Sequence, residues 1–341
     1  MHKKTVLIAS LLIIFIISCT GTSTQKTKEI DVRVGLQGLT MEFLKNTPPQ
    51  RIFEGDKFPV VIKVRNSGAT DIKNNEAVVS LGFEKDYTKN VELSQTGNVQ
   101  SLSGLNNIAI FSLEGKSVIN QKGGEEVVSY NLVAGKVDPQ SEFHSSAAIA
   151  TLCYHYKTVL DATFCMDTDP NNLRPGKKVC KLQDLTFTNG QGAPVAISKI
   201  EVQMLPSQES QQSSTGSGKI VPQFLIFIEN KGNGIVIKND AIKEFCTQSK
   251  INYDKFNTIF VKAFFPGKDL GEELDCEPKE KGSTAKQGYV KLKDKKDIIR
   301  CAFKQGIDGS QDPYLSPIRI EMDYGYTQSI SASYLIQKTA R

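Results

Sequence analysis

Tryptophan is absent from this chain of 341 residues and histidine occurs only three times, so side chains for metal binding and acid–base chemistry are scarce. No Gly-x-Ser-x-Gly, Walker or His-Glu-x-x-His motif occurs, so the usual sequence signs of serine hydrolases, nucleotide-binding loops and zinc proteases are missing. No Asn-x-Ser/Thr sequon occurs, and N-glycosylation is not expected. The net charge of +5 is too small to indicate nucleic-acid binding.

Long apolar runs are also missing, except near the N-terminus. There, a basic start is followed by an apolar run over 6–17, which only Ser10 interrupts. As a helix this run would span about 18 Å, which is short of a bilayer core of about 30 Å. We therefore predict that residues 1–18 are a secretory signal peptide.

The end of that run, Ile16-Ile17-Ser18-Cys19, resembles the lipobox of prokaryotic lipoproteins, in which a small residue precedes a cysteine that is lipidated. The resemblance implies a lipid anchor at Cys19, a tether over 19–30, and attachment to the outer face of the cell membrane. An uncleaved N-terminal anchor helix with an ordinary cysteine is the alternative. Both interpretations place the rest of the chain outside the cytoplasm.

The cysteines beyond Cys19 are even in number, and none forms a C-x2-C pair. In an exported chain this indicates disulfides rather than structural zinc. These cysteines are Cys153, Cys165, Cys180, Cys246, Cys276 and Cys301.

Short runs rich in β-branched and aromatic residues, separated by Gly, Asn, Pro and Lys, dominate the chain. This pattern predicts an all-β fold of two tandem immunoglobulin-like β-sandwiches. The predicted strands include 58–64, 126–133, 147–156, 224–228, 258–265 and 318–326. One short helix is predicted over 240–248, with Asp240 as its N-cap.

Two segments recur along the chain at nearly the same spacing. Residues 58–68 resemble residues 222–232, and each segment is an apolar strand that ends in Asn-x-Gly. Residues 153–166 resemble residues 323–336 in the same way. The recurrence predicts a duplicated module. We expect the Asn and Gly to supply a turn with positive φ.

The segment 148–166 is predicted to be a hairpin that sets Cys153 opposite Cys165. A cross-strand disulfide between them is therefore favoured. Spacing alone does not choose among the other pairings. We favour Cys276–Cys301, which flank a hairpin-like stretch, and then Cys180–Cys246 by elimination.

These patterns divide the chain into a first module over 31–166, a turn-rich linker over 167–178 and a second module over 179–338. Within the second module, 206–218 is rich in Ser and Gln and is predicted to be a mobile loop. Because exposed loops on rigid sandwiches often carry recognition, this loop is a candidate contact surface.

The Asn-x-Gly strand followed by a late aromatic segment resembles the CARDB type of immunoglobulin-like module. The paired cysteines and Tyr-x-Tyr motif are similar to those of uncharacterised archaeal surface lipoproteins. The CARDB resemblance implies surface display or adhesion, and neither resemblance brings catalytic residues.

Few residues are candidates for chemistry. His155 and His144 could each be a metal ligand or base, but each lacks a set of further ligands and is better interpreted as an ordinary surface residue, with His155 beside Asp161. A copper site of the cupredoxin type would need cysteines that the disulfides already use. We therefore predict no metal, no cofactor and no catalytic residues.

Three further motifs have structural interpretations that we prefer. Asp167-x-Asp169-x-Asn171 resembles the start of a calcium loop but lacks its later Gly and Glu, so it is interpreted as a turn. Gly190-Gln-Gly192 is interpreted as a turn leading into a strand. The aromatic set is expected to pack in the core rather than form a binding strip. This set consists of Tyr154, Tyr156, Tyr324 and Tyr326.

The favoured hypothesis is a non-enzymatic surface protein, tethered through Cys19, for adhesion, display or binding of a surface protein or polysaccharide, with no nucleic-acid partner. A ligand-capturing lipoprotein of an uptake or envelope-assembly machine is the alternative, and a deep pocket between the modules would favour it. An exported hydrolase is the second alternative, since paired carboxylates meet only in the fold.

Overall fold

The computed structural model describes residues 31–207, 218–247, 252–265 and 271–339. The described residues from Val32 onward form one compact unit. The strands are β1 (Leu39–Phe43), β2 (Arg51–Phe53), β3 (Lys57–Asn66), β4 (Ile72–Gly82), β5 (Thr88–Ser94), β6 (Gln100–Leu102), β7 (Leu105–Leu113), β8 (Glu125–Ala134), β9 (Phe143–Met166), β10 (Leu185–Thr186), β11 (Val195–Pro206), β12 (Lys219–Asn230), β13 (Ile235–Ile237), β14 (Thr258–Phe265), β15 (Glu272–Glu273), β16 (Asp275–Glu277), β17 (Gly288–Lys291), β18 (Lys296–Ala302), β19 (Ile307–Asp308) and β20 (Tyr314–Gln337). One helix, α1, and two 3-10 turns are also described: Ile242–Cys246, and Asn239–Ala241 and Tyr253–Lys255.

In the described residues, the strands form two smaller sheets and one large sheet. The smaller sheets have the orders β1-β3-β8-β5 and β10-β11-β12-β18-β16, with β19 joined to β12. The large sheet has the order β15-β14-β20-β9-β4-β7-β6, with β2 and β13 joined to β20 and β17 joined to β14. Alternate residues of β3 and β12 are buried, as expected for strands with one face in a core. The predicted all-β sandwich class is confirmed, and its immunoglobulin-like type stays a prediction.

The large sheet is built around one long ladder between β9 and β20. These strands pair antiparallel along their whole length, from Phe143 opposite Gln337 to Met166 opposite Tyr314. His155 lies opposite Gly325 near the middle of the ladder. The ladder therefore joins the first and second modules into one continuous sheet.

Each long strand contributes to both sandwiches. Near the end of β9, Phe164 packs on Phe224 of β12, with ring centroids 4.9 Å apart. Near the end of β20, Tyr334 packs on Phe58 of β3, with ring centroids 5.2 Å apart. The boundaries 31–166 and 179–338 stay a prediction about sequence units, and in the structure these units share both sandwiches.

The predicted hairpin over 148–166 is wrong, because this segment lies within the single strand β9. Its even-numbered residues from Ala148 to Leu160 are all buried, and so are Phe164 and Met166, so the phase of burial does not change along the segment. Such continuous alternation gives one strand a buried face throughout its length. The segment also lacks the Gly, Pro or Asn that a tight turn favours.

The disulfides of the described residues are Cys153–Cys246, Cys165–Cys180 and Cys276–Cys301. The predicted bond Cys276–Cys301 is confirmed, and its cysteines lie opposite each other on β16 and β18. The predicted bonds Cys153–Cys165 and Cys180–Cys246 are wrong. At about 3.3 Å per residue, one straight strand holds Cys153 and Cys165 roughly 40 Å apart. Three disulfides indicate an oxidising, extracytoplasmic location.

Helix α1 is shorter than the predicted helix over 240–248, whose last residue lies outside the described residues. Its N-cap is Ala241 rather than Asp240, because a 3-10 turn over Asn239–Ala241 precedes the helix, and this cap makes no side-chain hydrogen bond. Cys246 and Phe245 belong to a small apolar cluster with Cys153 on the outer face of the large sheet. The helix therefore covers part of a face that the sequence had suggested was exposed.

Within the described ranges, no helix is long and apolar enough to cross a membrane. The predicted signal peptide, Cys19 and the tether all lie outside the described residues. So does most of the predicted loop over 206–218.

Candidate functional site

The middle of the ladder carries the aromatic set found in the sequence. Tyr154 lies opposite Tyr326, and Tyr156 lies opposite Tyr324. The ring centroids of these pairs are 5.6 Å and 6.4 Å apart. Each tyrosine is at most 1% exposed, so the prediction that they pack in the core is confirmed.

An asparagine at the end of β3 fixes one of these tyrosines. The Asn66 side chain donates to the carbonyl of Thr70 at 2.7 Å and accepts from the N–H of Gly68 at 3.2 Å. Its Oδ1 also accepts from the hydroxyl of Tyr156 at 3.4 Å. A buried amide is stabilised only when its donors and acceptors are used, as they are here.

The same arrangement occurs at the end of β12. The Asn230 side chain donates to the carbonyl of Gly234 at 3.0 Å and accepts from the N–H of Gly232 at 3.1 Å. Its Oδ1 accepts from the hydroxyl of Tyr326 at 3.2 Å. The two networks match residue by residue, which supports the duplication inferred from the sequence.

The expected positive φ at the Asn-x-Gly turns is wrong. Asn66, Gly68 and their counterparts in the second copy are not among the described residues with positive φ. Glycine is needed for space instead, because a Cβ at Gly68 would overlap the hydroxyl of Tyr156. A Cβ at Gly232 would overlap the hydroxyl of Tyr326 in the same way.

The other two tyrosines, Tyr154 and Tyr324, differ in the hydrogen bonds that their hydroxyls make. The hydroxyl of Tyr324 bonds with Oγ1 of Thr158 at 3.0 Å and accepts from the N–H of Val195 at 3.4 Å. The hydroxyl of Tyr154 is buried and makes no hydrogen bond of ordinary geometry within the described residues, although the backbone of Leu39 lies beside it and acts to lower its pKa. Burial raises the pKa of both hydroxyls well above the ordinary value, so both stay neutral. An unpaired buried hydroxyl costs about 1–3 kcal/mol.

Tyr154 lines a cavity of about 640 Å³ that we call the seam groove. Both modules contribute to its wall, and Leu36 and Ile235 are exposed apolar residues among the lining, at 37% and 48%. The lining consists of residues 36–41, 231–235 and 326–330 with Tyr154 and Pro194. Its volume is typical of sites for small ligands or short segments of chain.

Matching positions around the groove can be assigned from the backbone. The carbonyl of Gly38 accepts from the N–H of Ser67, and the carbonyl of Pro194 accepts from the N–H of Lys231, each at 2.9 Å. Ser67 and Lys231 directly follow the two equivalent asparagines. Gly38 and Pro194 therefore occupy the same place in the two copies.

The residues two positions before Gly38 and Pro194 are Leu36 and Gly192, and the difference between them explains why the groove is open on the side of Leu36. Gly192 has φ of 66°, and its carbonyl accepts from the N–H of Ala69 at 2.9 Å and the hydroxyl of Tyr156 at 3.1 Å. Leu36 occupies the matching position and makes no such bond within the described ranges. A leucine does not readily adopt the left-handed backbone of Gly192, so the chain stays apart and the groove remains open.

His155 lies on the outer face of the ladder rather than in the groove. Its Nδ1 is 3.1 Å from Glu76 Oε2, and its Nε2 is 3.0 Å from Asp323 Oδ1. The predicted neighbour, Asp161, is therefore not its partner. The hydrogen bond to Asp323, opposed by burial and helped by Glu76, raises the pKa of His155. Although burial opposes it, hydrogen bonds from His155 and Asn239 hold the pKa of Asp323 below its usual value.

His144 is also engaged by its own surroundings. Its Nε2 is 2.7 Å from Glu84 Oε2, and its ring stacks on Tyr87 with centroids 3.5 Å apart. Neither histidine faces the seam groove. Among the described residues, no group of His, Cys, Asp and Glu is arranged to hold a metal ion.

The predicted linker carries acidic residues that bond to the protein itself. Asp167 accepts from Nζ of Lys178 at 2.7 Å. Asp169 accepts from the backbone N–H groups of Arg174 and Leu173 at 3.0 Å and 2.9 Å, and these bonds lower its pKa. This arrangement agrees with the preferred interpretation as a turn.

Gly190-Gln-Gly192 was interpreted as a turn leading into a strand, and this is confirmed. Gly190 has φ of 67°, and β11 begins shortly after Gly192.

The sequence also contains a sign of the open side of the groove, because Leu36 stands where the second copy has the glycine Gly192. It could be recognised only after the copies were aligned in space.

A second cavity, of about 810 Å³, lies at the edge of the first sandwich. Its lining includes residues 80–85, 88–91 and 105–108. None of the buried side-chain atoms found without a partner in the described residues belongs to its lining. We therefore take the seam groove as the candidate functional site.

No protein-family model matches the chain. No curated protein matches it. Solved structures resemble the chain only weakly.

A partial N-terminal region of the enterococcal surface protein is 10% identical with a TM-score of 0.20, over 89% of this chain and 87% of that one. The C-terminal domain of the Streptococcus pyogenes antigen I/II-family protein AspA is 6% identical with a TM-score of 0.21, over 89% and 98%. The collagen adhesin of S. aureus is 13% identical with a TM-score of 0.10, over 90% and 93%. Similarities of this size carry no argument about function.

Proposed function

We propose that the chain is a non-enzymatic, extracytoplasmic surface protein that binds a macromolecular partner at the seam groove, for adhesion or display. The observation that carries this proposal is an open groove to which both modules contribute, with exposed apolar residues at Leu36 and Ile235 in its lining. A partner that covers these residues buries apolar area, and this burial favours binding.

The chemistry of the lining favours binding over catalysis. Lys231 is the one charged residue among those found to line the seam groove, and its Nζ lies 2.6 Å from Glu229 Oε2. A hydrolase would need a carboxylate, histidine or activated nucleophile facing its substrate. The described lining offers none of these, so we do not propose the hydrolase.

We further propose that Cys19 carries the lipid anchor and that residues 19–30 act as the tether, as the lipobox resemblance implies. The resemblance to CARDB-type modules of archaeal and bacterial surface proteins belongs to the same proposal. A surface protein or polysaccharide is the expected partner.

A second candidate is a ligand-capturing lipoprotein of an uptake or assembly machine. The size of the groove and its position between the copies favour this candidate, because about 300–1,000 Å³ is usual for small-molecule sites. Native mass spectrometry of the purified protein separates the two, since a captured small molecule would appear as an added mass.

The proposed function is tested with wild type and a Cys19→Ser variant. We expect wild type in the membrane fraction and Cys19→Ser in the soluble fraction. The soluble form is then used to capture partners from cell envelopes, with Ile235→Arg at the groove and Ile298→Arg as a control of similar exposure, 48% against 45%. Capture that Ile235→Arg abolishes and Ile298→Arg preserves supports the proposal. Capture that is insensitive to both variants contradicts it.

A further inference from the structure

Strand β1 borders the seam groove and, within the part of the chain that the structure describes, pairs on one side only, with β3. The N–H of Leu44 donates to the carbonyl of Val61 of β3 at 2.9 Å, which fixes the direction in which alternate residues point. In an antiparallel pair, the intervening residues direct their N–H and C=O groups away from the partner. Leu39, Met41 and Phe43 therefore present their backbone groups to the free edge.

These outward groups are only partly satisfied. The side-chain amide of Gln328 donates to the carbonyl of Leu39 at 2.8 Å. The outward groups of Met41 and Phe43 have no hydrogen-bond partner within the described ranges. Met41 lines the seam groove, so this edge opens into it.

The second copy has an equivalent strand, β11. Val195 lies opposite Asn230, as Leu39 lies opposite Asn66. Both asparagines belong to the matched networks described above. The two strands therefore occupy the same place in their sandwiches.

In the second copy this edge is not free. Strand β10 pairs antiparallel with it, with Leu185 opposite Ile200, and the N–H of Phe187 donates to the carbonyl of Ser198 at 2.9 Å. Ile200 is the counterpart of Phe43, since each lies opposite the residue four positions before its asparagine. Leu185 and Phe187 pack against the core at alternate positions. The chain thus contains a strand that pairs with this kind of edge, at Ile200 and at Ser198, which a β-bulge adds to β11. The counterpart of Met41 is Ile197, whose backbone is bonded to the side chain of Gln191 instead.

We propose that the free edge of β1 accepts an extended strand of a protein partner, with apolar residues at alternate positions that enter the seam groove. This inference rests on the proposed binding function and names its ligand class. Main-chain hydrogen bonds to Met41 and Phe43 supply the affinity, and the groove selects the side chains.

The probe is a synthetic peptide copying residues 181–189, the segment that contains β10. It is added to the soluble full chain, Cys19→Ser, and amide hydrogen exchange is followed residue by residue. We expect the peptide to slow exchange at Met41 and Phe43 and to leave Glu42, which faces β3, unchanged. This pattern separates binding at β1 from exchange with β10 on β11.

Two peptide controls test the backbone directly. N-methylation at the positions of Leu185 and Phe187 removes the donors that face the edge in the second copy. N-methylation at the position of Thr186 modifies an amide that points away from it. We expect the first peptide to bind about tenfold or more weakly than the second, because it lacks two main-chain donors. Equal binding would show that only apolar contact matters and would overturn the inference.

A protein variant gives the reciprocal test. Met41→Pro removes an outward donor without removing a bond to β3, and an edge strand tolerates proline. We expect it to weaken peptide binding about tenfold, whereas Glu42→Ala on the same strand leaves binding unchanged. If Met41→Pro does not fold, the N-methylated peptides decide the question on the unaltered protein.

The inference is also overturned if the peptide, up to its solubility limit, protects neither amide. Slow exchange at Met41 and Phe43 in the isolated monomer would mean that the edge is already covered. Protection that grows with protein concentration alone, alongside a dimer in light scattering, would make a second copy the occupant. If the peptide fails while Ile235→Arg still abolishes partner capture, the strand inference falls and the proposed function stands.

Discussion

Removing the hydroxyl of Tyr154 should stabilise the protein, whereas removing the hydroxyl of Tyr324, at the matching position of the second copy, should destabilise it. Tyr324→Phe removes hydrogen bonds of 3.0 Å and 3.4 Å to Thr158 and Val195, and should lower the free energy of unfolding by about 1–2 kcal/mol. Tyr154→Phe removes a buried hydroxyl that makes no hydrogen bond of ordinary geometry in the described residues, with the Leu39 backbone beside it, and should raise the free energy of unfolding by about 1 kcal/mol. Both rings are fully buried and are kept in the Phe variants, so each variant differs from wild type mainly by the loss of one hydroxyl.

The assay is urea unfolding followed by far-ultraviolet circular dichroism, with the disulfides intact, because the chain lacks tryptophan. Midpoints are compared only if both variants keep the wild-type slope. A loss of stability in Tyr154→Phe as large as that in Tyr324→Phe would refute the reasoning, since it would mean that the Tyr154 hydroxyl is already paired. That result would also remove one reason for placing a ligand in the seam groove.

The hydrogen bonds to its carboxylate partners raise the pKa of His155, so its stabilisation is complete below about pH 6.5 and is lost as pH rises through the raised folded value. His155→Gln should abolish this decline in urea titrations at increasing pH, and an unchanged decline would contradict the assignment. Cys153→Ser with Cys246→Ser opens a loop of 93 residues and should cost about 4–5 kcal/mol in the chain-entropy model, measured by urea unfolding. Gly68→Ala should cost about 2 kcal/mol or more, because its Cβ would overlap the Tyr156 hydroxyl, and a neutral result by thermal unfolding would sink that explanation.

Much of the local structure could be predicted because apolar and polar residues alternate along many of the strands, as expected when one face of a strand is buried. The segment Thr258–Phe265 was predicted residue for residue as β14. The recurrence of the Asn-x-Gly strand and the late tyrosines predicted two copies, and the matching networks at Asn66 and Asn230 bear this out. The useful signals were the alternation of buried and exposed positions along a strand and the recurrence of whole segments.

The failures have a common physical cause, which is that pairing between distant segments is not visible in local pattern. A strand as long as β9 was split into a hairpin, and this error fixed Cys153 opposite Cys165. The correct partner, Cys246, reaches Cys153 through a short helix that crosses the outer face of the sheet. The tyrosines were placed correctly in the core, but their sequence pattern could not tell that the Tyr154 hydroxyl alone among them makes no hydrogen bond of ordinary geometry in the described set.

The pairing of β9 with β20 also affects the order in which the nascent chain folds. β9 is synthesised well before β20, so the first copy emerges with a long bare edge, and such edges invite wrong pairing with other chains. Contacts between segments so far apart in sequence form slowly. Completion of the large sheet therefore waits for the synthesis of β20, long after β9 has emerged.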